Sequence, residues 1–99
     1  MVIRSNLVDG VMVLSPSGSI DTINAPDFQA EVIKSLQTNT QVEIDLAEVT
    51  YVSSAGLRAF LLGQKTAASR GASLVVKNVP PVVMQVLQVS GFAKLIHIE

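Results

Sequence analysis

The residues best placed to do chemistry in this chain are two adjacent serines in "VTYVSSAGLRAFLLG", Val49 to Gly63. An apolar, β-branched run stops at Ser53 and Ser54, passes Ala55 and Gly56, and resumes with helical spacing. A hydroxyl at such a strand-to-helix junction has two uses. It starts the helix when its oxygen accepts a hydrogen bond from an unpaired first-turn N–H, an interaction of about 1 kcal/mol. Alternatively it stands free at the positive end of the helix macrodipole, where a phosphate would meet N–H donors and a favourable potential. Two serines are more than one cap requires. Ala55 and Gly56 keep the surrounding surface low enough for another backbone to approach closely. The spacing does not say which serine does which.

A catalytic use of either hydroxyl needs partners that the chain does not offer. Val52-Ser53-Ser54-Ala55-Gly56 lacks the first glycine of the G-x-S-x-G nucleophile elbow. The single histidine, His97, alternates with Ile96 and Ile98 in an expected last strand, where an outward-facing ring is the ordinary outcome. There is no phosphate-binding loop, no metal-ligand spacing and no cysteine. Asp21 and Asp45 are the best-placed acids, each near the expected end of a strand, where Asp also serves turns. The expectation is a protein that is not an enzyme and uses no metal or cofactor.

Composition narrows the class further. Ninety-nine residues, 48% of them hydrophobic and 15% charged, make one globular domain over 1–99 with no room for a second core. The net charge of −1 and singly scattered Lys and Arg leave no footprint for nucleic acid or for an anionic membrane. No apolar run approaches the ~18 residues of a membrane helix, and "MVIRSNLVDG" lacks the apolar centre of a signal peptide. A cytoplasmic protein, monomeric when free, is expected.

The elements that must position the serines follow from periodicity. Asp9-Gly10 reads as a tight turn between two strands, the second, with Val11 and Val13, expected to be buried on both faces. A helix follows, with Asn24 as N-cap, Pro26 in its first turn and Phe28, Val32, Ile33 and Leu36 as its apolar stripe. Val42–Leu46 reads as a strand. A second helix from about Ala55 to Ser69 ends at Arg70 and Gly71. Leu57, Phe60, Leu61 and Ala68 form its core face, leaving Arg58, Leu62 and Lys65 on an outer stripe. "ASLVVKNV" reads as a strand, "PPVVMQVLQVSG" as a helix and "KLIHIE" as a closing strand. The order ββαβαβαβ predicts a small α/β domain, a mixed and mostly parallel sheet with helices mainly on one face.

With these residues in place, "VEIDLAEVTYVSSAGLRAFLLG" resembles the signature of STAS domains, whose free-standing members are bacterial anti-sigma factor antagonists. That family has a strand ending in Asp-Leu, then (Asp/Ser)-Ser-x-Gly-Leu-(Gly/Arg) opening a helix. "SGSID" and "LQVSGFAKLIHI" resemble its other two segments, so the likeness spans the chain. The resemblance implies a phosphorylatable serine two residues before Gly56, which is Ser54, surrounded by Asp21, Thr22, Ser53, Ala55 and Gly56. Many members carry an acid where this chain has Ser53, a departure that leaves open whether Asp21 alone supplies the negative rim of the site. The implied scheme is a partner switch. A GHKL-type anti-sigma factor and serine kinase binds the unphosphorylated antagonist and then phosphorylates it, and a PPM-type serine phosphatase reverses the step. Arg58, Leu62 and Lys65 are the expected partner-binding stripe. The alternative is a constitutive STAS subunit of a signalling or lipid-transport assembly.

Overall fold

Asp9 and Gly10 take φ values of 51° and 82°, so the expected two-residue turn joins β1 (Val2–Val8) to β2 (Val11–Ile20). Both positive φ angles suit a turn whose twist matches that of the paired strands. The computed structural model describes residues 1–99 and continues with α1 (Ala25–Thr38), β3 (Gln41–Asp45), β4 (Val49–Val52), α2 (Ser54–Arg70), β5 (Ser73–Lys77) and α3 (Pro81–Ser90).

The sheet runs β1-β2-β3-β5, with β1 antiparallel to β2 and every other pairing parallel. The ten-residue β2 serves two neighbours in turn. Met12–Leu14 pair with Val42–Ile44 of β3, whereas Gly18–Ile20 pair with β4 between Val49 and Val52. Pro16, which has no N–H to donate, falls in the gap between the two partners. Gly18, at φ 84°, absorbs the register shift where the second pairing begins.

Alternation along the strands sorts the side chains. Leu14, Val42, Ile44, Leu74 and Val76 enter the core, which α1 completes with Phe28, Val32 and Leu36 and α2 with Leu57, Phe60 and Ala67. The Phe28 and Phe60 rings meet edge to face, centroids 5.0 Å apart. The opposite face of the sheet carries no helix contact of this kind and holds polar residues, among them Glu43 and Lys77, 2.9 Å apart. That hydrogen bond and the Glu43 charge raise the pKa of Lys77.

Four expectations need correction. Gln41–Val52 holds two strands, because Asp45 Oδ1 accepts the Ala47 N–H and turns the chain before β4. The segment "KLIHIE" is not a strand: Phe92–Lys94 form a 3-10 turn whose bonds continue to Ile96, leaving only an isolated bridge from Ile98 to Val76. Val11, Met12 and Val13 are half-buried, since only one face of the sheet is covered by helices. On α2, Gly63 and Ala67 face inward and Ala68 is exposed, because the helix approaches α1 and β5 through its small residues.

Gly63 shows how close that approach is. A Cβ there would lie 2.8 Å from Val32 Cγ1 and 3.0 Å from Leu74 Cδ2. Gly63→Ala improves helix propensity by about 1 kcal/mol. The overpacking it causes outweighs this, and a net loss of about 1–2 kcal/mol is expected in urea unfolding.

Candidate functional site

The parallel strands β2, β3, β4 and β5 all end at one edge of the sheet, where open α/β sheets place their functional loops. At that edge the chain passes from β4 into α2 through Ser53, in an extended conformation with φ −81° and ψ 172°. The Ser53 N–H donates to the Ile20 carbonyl at 2.8 Å, prolonging the β2–β4 ladder by one bond. Its Oγ accepts the Gly56 N–H at 3.1 Å, and its carbonyl accepts the Leu57 N–H at 2.9 Å. Ser53 is 8% exposed. The cap is therefore Ser53, and its hydroxyl is occupied.

Ser54 is the first residue of α2 and is exposed. The two uses that the sequence offered to a pair of serines are thus divided between them. Gly56 permits the arrangement, since a Cβ there would stand 2.8 Å from Ile20 Cγ2 and 2.9 Å from Val52 Cγ1. Ala55, between them, is half-buried against the core.

The loop after β2 borders the same edge. Asp21 directly follows Ile20, whose carbonyl holds Ser53, so the loop leaves the sheet beside the serine pair. Asp21 Oδ1 accepts the N–H groups of Ile23 and Asn24 at 3.0 and 2.9 Å. Asn24 returns the contact, its Oδ1 accepting the Asp21 N–H and its Nδ2 donating to the Ser19 carbonyl. Asn24 occupies the N-cap position of α1 but its side chain makes no capping bond, because that bond is spent on the loop. Asp21 thus orders the loop before it contributes charge to any rim. Thr22 and Ile23 form its exposed tip, with Ile23 90% exposed.

Arg58, Leu62 and Lys65 are all exposed along one stripe of α2, as expected. Arg58 lies one turn beyond Ser54 on the same helical face. The ion pairs of the structure join Lys77 to Glu43 and Glu99, so the Arg58 guanidinium has no internal counter-ion. The His97 backbone N–H donates to Gln64 Oε1 at 2.9 Å, and the His97 ring lies 3.2 Å from a Glu99 carboxylate oxygen. Gln64 is ten residues along α2 from Ser54, about 15 Å at the helical rise, which places the histidine away from both serines.

One feature of the site is missing from the sequence reading. Between α2 and α3 runs a groove of about 420 Å³, lined by Tyr51, Ser54, Leu57, Val86 and Val89 among others. Tyr51 is 54% and Val89 82% exposed, large values for such side chains. The available signal was α3 itself, whose valines extend round more of the helix than the side occupied by buried Val83 and Leu87.

The arrangement presents an exposed hydroxyl without a base of its own. It suits accepting a phosphoryl group in another protein's active site. The first turn of α2 contains no acid, so its free N–H groups and Arg58 are available to a dianion on Ser54.

Residues 3–97 match the family model described as "Mlab, STAS domain". BtrV of Bordetella bronchiseptica, described as an anti-sigma factor antagonist, is 30% identical over 96 residues, covering 96% of this chain and 83% of that protein. A Thermotoga maritima protein described as an anti-sigma factor antagonist has a crystal structure that superposes with a TM-score of 0.88 at 21% identity, covering 97% of this chain and 84% of that one. The Bacillus cell fate determinant SpoIIAA in its phosphorylated form superposes with a TM-score of 0.74 at 14% identity, covering 99% and 91%.

The division of labour between the serines predicts unequal costs. Ser53→Ala is expected to destabilise the protein by about 1–2 kcal/mol, because it removes a buried cap, and Ser54→Ala by less than about 0.5 kcal/mol. Thermal and urea unfolding of the two variants checks this. Ser54→Asp, with its charge at the positive end of α2, is expected to melt at or slightly above the wild-type temperature.

Proposed function

This chain belongs to the STAS domain family, and we propose on that premise that it is an anti-sigma factor antagonist switched by phosphorylation of Ser54. The observation that carries this reading is the occupied cap at Ser53 beside the exposed hydroxyl of Ser54, which opens onto an apolar groove. In the unphosphorylated state the groove and the Ser54 rim dock on an anti-sigma factor that is also a GHKL-type serine kinase. Docking frees the sigma factor. The kinase then transfers the γ-phosphoryl of ATP to Ser54 Oγ, ADP leaves as the β–γ bridge breaks, and the hydroxyl proton passes to a base on the kinase.

The modification adds about −1.5 to −2 charges at the centre of the contact surface. Repulsion and the cost of desolvating a dianion against an apolar partner surface then oppose binding. A penalty of about 3 kcal/mol lowers affinity more than a hundredfold, which suffices for a switch. The fold tolerates the charge, because the phosphate sits at the helix N-terminus with Arg58 one turn away. A PPM-type serine phosphatase restores the hydroxyl by hydrolysis. In this reading the protein is a cytoplasmic binding partner and performs no catalysis of its own.

Wild type and Ser54→Asp, used as paired baits in a native lysate, test the switch. A GHKL-type kinase is expected on the wild type and not on the Asp form. Recovery of one and the same assembly by both baits would instead select a constitutive STAS subunit of a multiprotein assembly. Val89→Glu tests the groove. It places a charge on an exposed apolar position, so affinity for the captured kinase is expected to fall at least about tenfold with folding unchanged. Equal affinity would place the docking surface on the Arg58, Leu62 and Lys65 stripe alone.

A further inference from the structure

The outer edge of the sheet carries a pattern that the switch does not use. Strand β1 pairs with β2 alone, so its other edge presents unpaired backbone groups. Natural edges of this kind are blunted by proline, bulges or several charges. β1 has none of these: its register with β2 is unbroken from Val2 to Val8, it contains no proline, and Arg4 is its only charge. Val2 and Leu7 are each 64% exposed and Val8 50%.

The order of residue types along β1 is symmetric. Val2-Ile3-Arg4-Ser5-Asn6-Leu7-Val8 reads apolar, apolar, polar, serine, polar, apolar, apolar. We propose that β1 is a homodimerisation strand, pairing antiparallel with β1 of a second copy about a two-fold axis at Ser5. In that register Val2 faces the second copy's Val8, Ile3 faces its Leu7 and Arg4 faces its Asn6. Each cross-strand pair then joins like with like in polarity, and no two equal charges meet. A one-residue slip would move the axis off Ser5 and set Leu7 or Ile3 against polar residues.

The helix beside this edge agrees. A groove of about 410 Å³ lies between β1 and α1, lined by Met1, Ile3, Asp27, Glu31 and Lys34 among others. The two-fold axis places the second copy's α1 antiparallel on the same face of the joined sheet, so the helix layer continues across the seam. Pairing is closed, because it consumes both free β1 edges and yields one continuous sheet. β4 and the serine pair lie on the other side of β2 from β1. Each copy therefore keeps its Ser54 site, and the inference stands independently of phosphorylation. It replaces the monomer expected from sequence with a reversible dimer, and a single strand pair belongs to the small, micromolar class of interfaces.

Sedimentation velocity of the full chain from about 10 µM to about 1 mM tests it, a range that spans micromolar association. The mass of the wild type is expected to rise from 10.5 kDa towards twice that value. Ser5→Lys and Ser5→Glu put like charges face to face only on the two-fold axis, so each alone is expected to remain monomeric. An equimolar mixture of the two is expected to associate at least as strongly as the wild type. Circular dichroism melting checks that both variants fold. A wild type that stays monomeric at the highest concentration overturns the proposal, as does Ser5→Lys associating like the wild type, or a mixture that stays monomeric.

Discussion

The close approach of α2 to the end of β2 is the constraint on which the site depends. Gly56 leaves no space for a side chain between the helix and Ile20 or Val52, and a methyl there would lie 2.8 Å from Ile20 Cγ2. Only with the helix seated this deeply does the Ser53 N–H reach the Ile20 carbonyl while its Oγ reaches the Gly56 N–H. The sheet and the helix are thereby joined through one residue. Ser54 becomes the first position past that joint whose side chain is released to solvent, and its location is as rigid as the joint itself.

This joint sets how the proposed switch would act. In the proposed switch a phosphate on Ser54 would meet a helix terminus free of acids and a guanidinium one turn on, with no need for the chain to rearrange. The change is written on the surface. In that proposal the apolar groove gains a dianion at its edge. A partner that covers the groove must desolvate that charge, and the penalty falls on association. Asp21 supports the same edge indirectly, since its carboxylate fixes the loop that borders Ser53 and Ser54.

Much of this was legible in local pattern. The Asp9-Gly10 turn, the Pro26 entry and Gly71 exit of helices, and the exposure of Arg58, Leu62 and Lys65 all follow from periodicity and backbone preference. These are decided within a few residues, so a single sequence suffices. Three features were not legible for the opposite reason. The split of β3 from β4 depends on β2 having two partners along its length. The inward rotation of Gly63 and Ala67 depends on where α1 and β5 lie. The groove beside Tyr51 exists only because α3 packs near β4, nearly thirty residues away in the chain.

The sequence by itself determined the α/β class, the helix-opening serine pair and the family signature, because each is carried by short-range spacing and residue type. Spacing left the two serines equivalent and the family resemblance pointed to Ser54, but only the tertiary structure supplied the physical reason that this one is free. Ser53 and Ser54 have the same side chain and adjacent positions, and both satisfy the preference for an N-cap. The choice rests on the Ile20 carbonyl, thirty-three residues upstream, which takes the Ser53 N–H and so sets that residue as the last of the ladder. One hydrogen bond across the sheet assigns the cap to Ser53 and leaves the hydroxyl of Ser54 in solvent.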